Sequence, residues 1–556
     1  MSNIKFLLVF IIYTQIGFGQ INFEKYRLPI SKTDEKIKID GILNENTWKE
    51  CVVGKNFFMI TPLDYEKATQ FSEARVSFDD EFLYIAMIFF NNSIQGEYVV
   101  ESLKRDFSFN KNDNFLVAID PFNNQSTGFT FGLNAYGAQW DGTMYDGRGV
   151  DLNWDTKWYS KVKFDKEKWI CEIAIPFKSL RYDEKSLEWG INFSRLDLKA
   201  SEKSSWAPVP RQFPSISLAY AGALVWENQP PKQGNNISLI PYGASNLPKQ
   251  KKSNENNVIK FGGDLKYNLT SALNLDITLN PDFSQAEVDQ QVTNLDRFEL
   301  FFPERRQFFL ENADLFSNFG YKTIRPFFSR RIGLNIPIVG GVRMSGNFDE
   351  NWRLGLMNIQ TQKDKNLGLP SENFGVFTLQ RKVLDRSNIS LIFVNKQKIK
   401  TPEIFDSGIS FNRNLGMEYN YFSKDNLWNG KILYLKSLSS LKDNQGNVFA
   451  SHIGYQSTRW NWRIQQEYIS GDYTAEVGFI PRKNYFKLQA KGGHLVFTKK
   501  ETKLLSHGPS ITQTYFFNTE WDNKDQLTSL KYLFNFKNRS RLTIGFQNQF
   551  IKLISD

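Results

Sequence analysis

The second half of the chain alternates apolar and polar side chains with a period of two. KFGGDLKYNL at residues 260–269 places alternate apolar residues on one face, and LNLDITLN at residues 273–280 repeats the pattern. Roughly fifteen segments of this kind fit between Asn236 and Lys552. Strands of soluble proteins average about five or six residues, so these long segments favour an outer-membrane-type antiparallel β-barrel. A soluble all-β domain, which also alternates, is the alternative.

The first half has shorter segments separated by polar turns. Strand-like runs occur in ARVSFDDEFLYIAMIFF (residues 74–90), DNFLVAIDPF (113–122) and KWICEIAIPFKSL (168–180). Short strands closed by Asp-Asp or by proline are typical of a β-sandwich of about 200 residues. The sequence therefore predicts an all-β protein with a β-sandwich at 21–228 followed by a barrel domain at 231–556.

The first twenty residues, MSNIKFLLVFIIYTQIGFGQ, have the pattern of a secretory signal peptide. One lysine precedes a short apolar run at 6–13, and cleavage is expected near Gly19 or Gln20. That run is too short to span a bilayer. We therefore expect an exported protein of the cell outer membrane. Its sandwich precedes the first barrel strand, so it should lie on the periplasmic side or in the barrel mouth.

The stretch LFFPERRQFFLENADLF at residues 300–316 breaks the strand pattern. Its apolar residues come in adjacent pairs, which point to opposite faces of a strand, and its proline interrupts a helix. We interpret the region from about 281 to 337 as a plug-like insertion in the barrel lumen or across its mouth. The candidate contacts of this plug with the lumen or a ligand are Glu304, Arg305, Arg306, Glu311, Arg330 and Arg331. An inert plug held by ion pairs and a ligand-contacting gate are both consistent with this composition.

Composition changes the picture in two ways. The 556 residues carry a formal charge of +10, but the excess is spread along the chain, which excludes a basic nucleic-acid-binding arm. The 49 Phe, 22 Tyr and 13 Trp fit a β-rich protein. Cys51 and Cys171 are the only cysteines, and either a disulfide between them or a small core role for Cys171 is consistent with export.

Several motifs of the first half occur in the order seen in carbohydrate-binding modules of family 9. These are IDGILNENTWKE, DNFLVAIDPF, NAYGAQWDG, NWDTKW and EIAIPFKSL, and the resemblance covers roughly residues 30–228. It implies a β-sandwich that holds a sugar end between two tryptophan faces, with polar side chains around it and calcium ions supporting the fold. An indole buries the apolar face of a pyranose ring while neighbouring polar groups bind its hydroxyls. The candidate carbohydrate-binding residues are Trp140, Trp154 and Trp158, with Arg105 and Asp155 as polar partners.

Each of these tryptophans could equally be a core residue of the sandwich. Trp48 and Trp169 lie in the motifs that define the fold, and we interpret both as core. The segment DGTMYDGRGVDLNWD carries four acids, Asp141, Asp146, Asp151 and Asp155. Calcium binds clustered oxygens, but this spacing is not that of an EF-hand, and solvated loop acids are the alternative. The sequence does not identify the residues of a metal site, and no cofactor other than calcium is expected.

The second half contains a second set of motifs. The long block at residues 279–316 is followed by FFSRRIG, GGVRMSGNFDENWRLGLMNIQT and YTAEVGFIPRKNY. Together they resemble an exported bacterial family described as a domain of unknown function (DUF5916), over roughly residues 231–556. Members usually carry the family-9-like domain in front and look like outer-membrane barrels, and no activity is established for them. Such barrels usually end on a terminal aromatic residue and have an even number of strands, whereas this chain ends in FIKLISD and gives an odd count, so either the strand count is wrong or the barrel is truncated.

Catalytic motifs are absent from the sequence. There is no HExxH or GxSxG, and His452, His494 and His507 are far apart. The prediction is an outer-membrane protein that binds or takes up carbohydrate, with a glycan or oligosaccharide and outer-membrane lipid as partners. The alternatives are a carbohydrate-active enzyme that hydrolyses glycosidic bonds, which needs only two suitably placed acids, and a structural or assembly protein that binds envelope proteins.

Overall fold

The computed structural model describes residues 26–91, 97–232, 237–246, 258–281, 292–294, 297–334, 336–364, 368–399, 408–441, 445–499, 501–518 and 520–552. The predicted signal peptide lies outside these residues, as does part of the predicted plug. Within the described residues, no helix has the length and apolar character needed to cross a membrane.

The N-terminal part is a β-sandwich, called the sandwich below. Its strands are β1 Arg27–Lys32, β2 Phe58–Thr61, β3 Ser72–Phe78, β4 Phe82–Phe90, β5 Asn114–Asp120, β6 Gly128–Asn134, β7 Gln139–Tyr145, β8 Gly149–Asp151, β9 Tyr159–Phe164, β10 Lys168–Pro176, β11 Glu188–Asp197, β12 Glu202–Ser205 and β13 Gly222–Trp226. One short helix, α1 (Asn46–Glu50), follows β1. The all-β prediction is confirmed for this part.

Two sheets form the sandwich, and they share their first strand. One runs in the order β8-β7-β6-β5-β11-β13-β1, and the other in the order β1-β3-β4-β10-β9. Residues Arg27 to Ile30 pair in parallel with β13, whereas Ser31 and Lys32 pair in parallel with β3. The strand therefore passes from one sheet to the other and closes that side of the sandwich.

The core of the sandwich lies between these two sheets. Trp169 is 1% exposed and stacks on Phe89 with ring centroids 4.0 Å apart. Trp48 on α1 is also buried and donates a 3.1 Å hydrogen bond to the buried carboxylate of Glu172. Both tryptophans are core residues, as the sequence predicts, because large rings fill the space between the sheets efficiently.

The C-terminal part is one antiparallel sheet, called the long sheet. Its strands are β14 Ile237–Asn246, β15 Val258–Asn268, β16 Leu273–Leu279, β17 Ile338–Asn347, β18 Trp352–Thr361, β19 Ser371–Val383, β20 Ser387–Ile399, β21 Phe411–Phe422, β22 Trp428–Ser439, β23 Asn447–Gln456, β24 Trp460–Ile469, β25 Tyr485–His494, β26 Val496–Phe497, β27 Leu504–Phe517, β28 Asn523–Phe536 and β29 Arg541–Ile551. Neighbours in sequence are neighbours in the sheet, with β26 paired to β27 beside β25. Among the strands that the structure describes, no pairing joins β14 to β29.

The two ends of the long sheet differ. At one end, most connections have three to five residues, as in 269–272, 384–386 and 423–427. At the other end lie the long connections, including the inserted segment between β16 and β17 and the loop at 470–484. Antiparallel order places alternate connections at the same end, so the β14 start, where the sandwich precedes the sheet, lies at the short-connection end.

The sandwich contacts this short-connection end. The Tyr220 hydroxyl donates to the Asp425 carbonyl at 3.3 Å, and Gln456 Nε2 donates to the Gln212 carbonyl at 2.8 Å. Arg211 of the sandwich lies over the Phe497 ring at 4.6 Å. The sandwich therefore covers the end of the long sheet from which the chain enters it.

The described residues of the inserted segment, 292–294, 297–334 and 336–337, pack against the inner face of the long sheet. This segment contains a short helix, α2 (Asp314–Ser317). Apolar side chains of the insertion and of strands β17 to β25 form one buried cluster; its members from the insertion include Phe308, Phe309, Leu315, Phe316, Phe319, Ile324 and Phe327. Paired phenylalanines thus bury both members of a pair, as at Phe308 and Phe309.

The inner face of the long sheet is less polar than the alternation suggested. In β20, Ile392 and Val394 face inward and are buried, while Leu391 on the outer face is 42% exposed. Both faces of β20 are apolar at these residues. The inner face packs against the insertion, and the outer face points away from the protein. Strict alternation would make the face opposite the exposed apolar residues polar, and the inner face departs from this where the insertion packs.

Both cysteines are free thiols. Cys171 is fully buried in β10, and Cys51 is half-buried with its Sγ 3.5 Å from the Val76 carbonyl oxygen. The sequence left open a disulfide or a core role for Cys171, and in the structure Cys171 is a core residue.

Candidate ligand site between the sandwich and the long sheet

A cavity of about 230 Å³ lies where the sandwich meets the long sheet and the inserted segment. We call it the junction cavity. The sandwich contributes side chains from β6, β7 and the segment after β8, as well as from the residues after β10. The long sheet contributes residues of β15 and β18, and the insertion contributes the segment around α2.

The apolar wall of the junction cavity comes from the sandwich. Trp154, Phe129 and Met144 line it, together with Phe122. The Trp154 ring lies 5.3 Å from the Phe129 ring and is 8% exposed, so only a small part of the indole reaches the cavity. This wall offers an apolar edge rather than an open aromatic platform.

The opposite wall is charged and joins the two parts of the protein. Arg181, which follows β10, donates a 2.8 Å hydrogen bond to Glu311 of the insertion. Glu311 also accepts a hydrogen bond from Asn274 Nδ2 in β16 and lies 3.7 Å from Lys266 Nζ. One carboxylate therefore ties the sandwich, the insertion and the long sheet together.

A second ion pair on this wall is bidentate. Arg353 at the start of β18 donates to both carboxylate oxygens of Asp314, at 2.7 and 3.1 Å. Because a bidentate pair fixes both partners, the first turn of α2 is held against the long sheet. Lys178 is the exposed cation on the sandwich side of the cavity. An apolar edge opposite several donors and acceptors suits a polar ligand with one apolar face.

The three candidate tryptophans are brought to different places. Trp154 lines the junction cavity. Trp140 is buried in a separate cluster with Met144 and Leu218, and Trp158 is buried against Phe131 with ring centroids 5.4 Å apart. The clamp of a sugar between two tryptophan faces stays a prediction.

The polar partners Arg105 and Asp155 do meet. Arg105 Nε lies 2.7 Å from Asp155, and the same guanidinium donates to Asp141, to Gln139 Oε1 and to the Thr156 carbonyl. These acceptors together hold the Arg105 side chain in one position. It therefore organises the segment that carries Trp154 and Asp155 to the cavity.

Asp106 completes this cluster. Its carboxylate oxygens lie within 4.8 Å of those of Asp141 and Asp155. Burial, together with the negative charges of Asp155 and Asp141, raises the pKa of Asp106 to about 6. Burial also raises the pKa of Asp141, although Arg105 opposes this. The cluster therefore holds more negative charge than its single arginine balances.

The arrangement fits a calcium ion poorly. Calcium takes six to eight oxygen ligands, and here Arg105 already occupies Asp141 and Asp155. Of the other predicted loop acids, Asp151 accepts hydrogen bonds from Asn153 within its own turn. Asp146 lies at the tip of the β7–β8 turn, away from the cluster. Calcium in the N-terminal domain stays a prediction.

The predicted plug residues divide by role. Only Glu311 lines the junction cavity. Glu304 and Arg306 pair with each other, and Arg306 also donates to the carbonyls of Ile332 and Ser329, which folds the insertion on itself. Arg330 donates to the Pro303 carbonyl, and Arg331 donates to the Gly478 carbonyl and to Glu299. Arg305 lies beside Glu304, whose Oε1 accepts from its backbone N–H.

Sequence reasoning missed several lining residues. Lys178, Arg181, Lys266, Asp314 and Arg353 lie in no catalytic or binding motif. Arg181 and Glu311 are 130 residues apart in the chain, so only the docking of the two parts brings them together. The sequence feature that indicated this wall was the charged composition of the insertion, which predicted Glu311 but not its partners.

Fold and site together define an all-β protein in which a β-sandwich is docked on a long antiparallel sheet with an internal insertion. Residues 235–351 match the family described as "Domain of unknown function (DUF5916)". This match confirms the family resemblance over that part of the chain. No curated protein matches the sequence.

Some of the solved structures that resemble this protein cover about a third of the chain, and others cover most of it. A family 9 carbohydrate-binding module from Caldicellulosiruptor kristjanssonii in complex with cellotriose is 13% identical with a TM-score of 0.26, covering 36% of this chain and 94% of that one. A putative carbohydrate-binding protein from Bacteroides uniformis is 14% identical with a TM-score of 0.27, covering 36% and 99%. OccAB4 from Acinetobacter baumannii is 8% identical with a TM-score of 0.26, covering 90% and 95%. At these TM-scores the likenesses carry no functional weight.

Proposed function

We propose that this protein binds a glycan at the outer membrane, with the long sheet in the bilayer and the junction cavity holding part of an oligosaccharide for uptake. The observation that carries the proposal is the junction cavity itself. It sets the apolar edge of Trp154 opposite a charged wall that includes Arg181, Glu311 and Arg353. A pyranose ring has the same division into an apolar face and a hydroxyl rim.

The outer face of the long sheet supports the membrane location. Large apolar side chains there are exposed on successive strands, for example Leu391, Leu415, Ile432, Ile464, Ile511 and Ile544. In water, apolar surface costs about 25 cal/mol per Å², so a continuous belt of this kind favours contact with lipid. Alternation with inward residues is the pattern of outer-membrane strands.

The position of the sandwich bears on uptake. It covers the short-connection end, and the insertion fills part of the space inside the long sheet. Movement of a sugar along the inside of the sheet would therefore require the sandwich or the insertion to move. Capture at the junction cavity is the step that the described conformation serves.

The test is glycan binding by the full chain in detergent micelles on a broad glycan array, followed by titration of any hit. Lys178→Ala removes a cavity cation whose side chain is exposed, so the fold should survive. Loss of one charged hydrogen bond should weaken binding by about 1.5–3 kcal/mol, or roughly tenfold to a hundredfold. Lys185→Ala, an exposed lysine outside the cavity, is the matched control.

Binding that weakens in Lys178→Ala but not in Lys185→Ala supports the proposal. A folded wild-type protein that binds no glycan, or equal binding by both variants, overturns it. Release of new reducing ends from the bound glycan would instead favour the hydrolase alternative. Co-purification of an envelope protein without any sugar affinity would favour the assembly alternative.

A further inference from the structure

A second site lies at the short-connection end, around the turn between β7 and β8. The turn backbone is held by hydrogen bonds from Gly147 N–H to the Ser126 carbonyl at 2.7 Å and from Leu218 N–H to the Gly147 carbonyl at 2.8 Å. Gly147 has a φ of +65°, which favours glycine. A Cβ at this position would lie 3.2 Å from Arg386 Nη2, so the turn passes close to that guanidinium.

Arg386 belongs to the β19–β20 connection and is 5% exposed. Its Nε and Nη1 atoms have no hydrogen-bond acceptor. Across the part of the chain that the structure describes, it forms no ion pair with a carboxylate. No protein acceptor compensates for the burial of these two nitrogens, which is unfavourable unless something else supplies acceptors.

Arg148, from the β7–β8 turn, lies close enough to Arg386 for the two charges to interact. The guanidinium carbons of Arg148 and Arg386 are 5.7 and 5.8 Å from the centroid of the same ring, that of Phe422. Arg148 also lacks a carboxylate partner within ion-pair distance among the described residues. Like charges repel, so an anion bound between the two guanidinium groups would stabilise the pair.

The groups around this pair supply little negative charge. Tyr220 lies beside Arg386, and Arg463 of β24 lies close enough to Arg148 to be repelled by it. Asp146 attracts Arg148 only at longer range, and its other charged neighbours include Lys431 and Glu418. Lys431 and Glu418 already pair with each other at 3.0 Å. Burial, together with the charge of Arg148, lowers the pKa of Arg386 to about 10, as expected of an uncompensated cation.

We propose that Arg148 and Arg386 form a binding site for an oxyanion, a carboxylate, sulfate or phosphate group. Two planar guanidinium groups offer several N–H donors in the geometry that such groups accept. The sandwich contributes Arg148 and the long sheet contributes Arg386, so the anion would also bridge the two parts. This site stands apart from the junction cavity and does not depend on the glycan proposal.

The test measures the melting temperature of the full chain in neutral detergent. Sodium sulfate, sodium phosphate and sodium glucuronate are each titrated against sodium chloride at equal ionic strength. A ligand that binds only the folded state stabilises it by RT ln(1 + [L]/Kd), so the melting temperature rises once the ligand concentration exceeds Kd. Because sulfate and phosphate also stabilise proteins by exclusion from the surface, the comparison between variants decides the result.

We expect at least one oxyanion to raise the wild-type melting temperature more than chloride. Arg148→Gln and Arg386→Gln should each raise the apparent Kd, obtained from the oxyanion concentration that gives a set rise in melting temperature, at least about tenfold, since each removes charged donors. Arg386→Lys, which keeps the charge but loses the planar donors, should fall between them and wild type. Arg381→Gln is the control, because Arg381 also lies on an aromatic ring, 5.1 Å from that of Trp352, but is exposed.

A response to glucuronate alone identifies a sugar carboxylate as the ligand chemistry, whereas a response to sulfate or phosphate alone identifies a small inorganic oxyanion. The proposal is overturned if no oxyanion exceeds chloride in wild type. It is also overturned if folded Arg148→Gln and Arg386→Gln proteins respond as wild type does. Loss of response in Arg381→Gln as well would show a general charge effect and likewise overturn it.

Discussion

The sandwich and the long sheet solve the burial of apolar surface differently. The sandwich buries its apolar side chains between its own two sheets, around Trp169 and Phe89. The long sheet has a single layer, and its inner apolar side chains are covered by the inserted segment. The insertion is therefore the second layer of a core that the strands cannot complete alone.

This difference has a polar counterpart. Arg343 of β17 is fully buried, lies 5.6 Å from the Phe316 ring and donates to the Phe308 carbonyl. Such a contact satisfies the backbone of the insertion, which has little regular structure of its own. In the sandwich, buried backbone groups pair mainly within the sheets. Four experiments should distinguish how the sandwich and the long sheet are stabilised.

The largest expected effect follows from removing one ring from each core. Phe316→Ala should cost about 3–5 kcal/mol of unfolding free energy, because a large buried side chain leaves a cavity against Phe327 and Arg343. Trp169→Ala should cost about the same in the sandwich. Hydrogen exchange followed by mass spectrometry would locate the loss of protection. Loss across both parts in both variants would show that the two cores are one cooperative unit.

A smaller effect is expected at the contact between the parts. Arg181→Gln should cost about 1–3 kcal/mol, because the Arg181–Glu311 pair is largely screened from water, with side chains 17% and 16% exposed. Arg27→Gln breaks an ion pair of equal length, 2.8 Å, within the sandwich surface, where the side chains are 46% and 39% exposed. That control should cost at most about 1 kcal/mol. Chemical denaturation measures both, and equal costs would contradict the docking role of Arg181.

A pH-dependent effect is expected in the sandwich. The folded pKa of Asp106, about 6, lies above its ordinary value of about 3.9, so the protonated form stabilises the fold and this stability is lost as pH rises through 6. Asp106→Asn should therefore raise the melting temperature at about pH 7.5 and not at about pH 4.5. Asn tolerates the φ of 57° found there.

The gain should stay below about 1 kcal/mol, because Asp106 is partly exposed and solvent screens its neighbours. Asp34→Asn, at an exposed position of the same sandwich, is the control. A gain that is the same at both pH values would rule out titration of Asp106 as the cause.

The smallest effect concerns the cysteines. Reductant should leave the melting temperature unchanged, because Cys51 and Cys171 are free. Burial raises the pKa of Cys51 to about 11, so native protein should react slowly with a thiol reagent at neutral pH. Unfolded protein should show both thiols without reductant, and fewer would indicate a disulfide.

The strands of the long sheet could be predicted because alternation is a local property of the sequence. The sequence indicated the packing of the insertion only in part. In β20, residues 391–394 read LIFV, and such an unbroken apolar run indicates a strand covered on both faces. The sequence shows that a second cover exists, but it does not say which segment supplies it.

The candidate site was less predictable. Asp155 and Arg105 form an ion pair with each other, and their contact with a sugar stays a prediction. Trp140 and Trp158 could not be assigned from sequence, because an indole in a sugar clamp and one in a core occupy similar strand positions. The charged wall depends on contacts such as Arg181 with Glu311, which exist only after docking.

The shared first strand of the sandwich sets an order of events during folding. Ser31 and Lys32 pair with β3, about fifty residues further along the chain. Arg27 to Ile30 can pair only after β13 has been made. The first strand of the sandwich is thus the last to be completed, because loop closure over so long a distance is slow. Until β13 is in place, one edge of the sandwich stays open to strands of other chains.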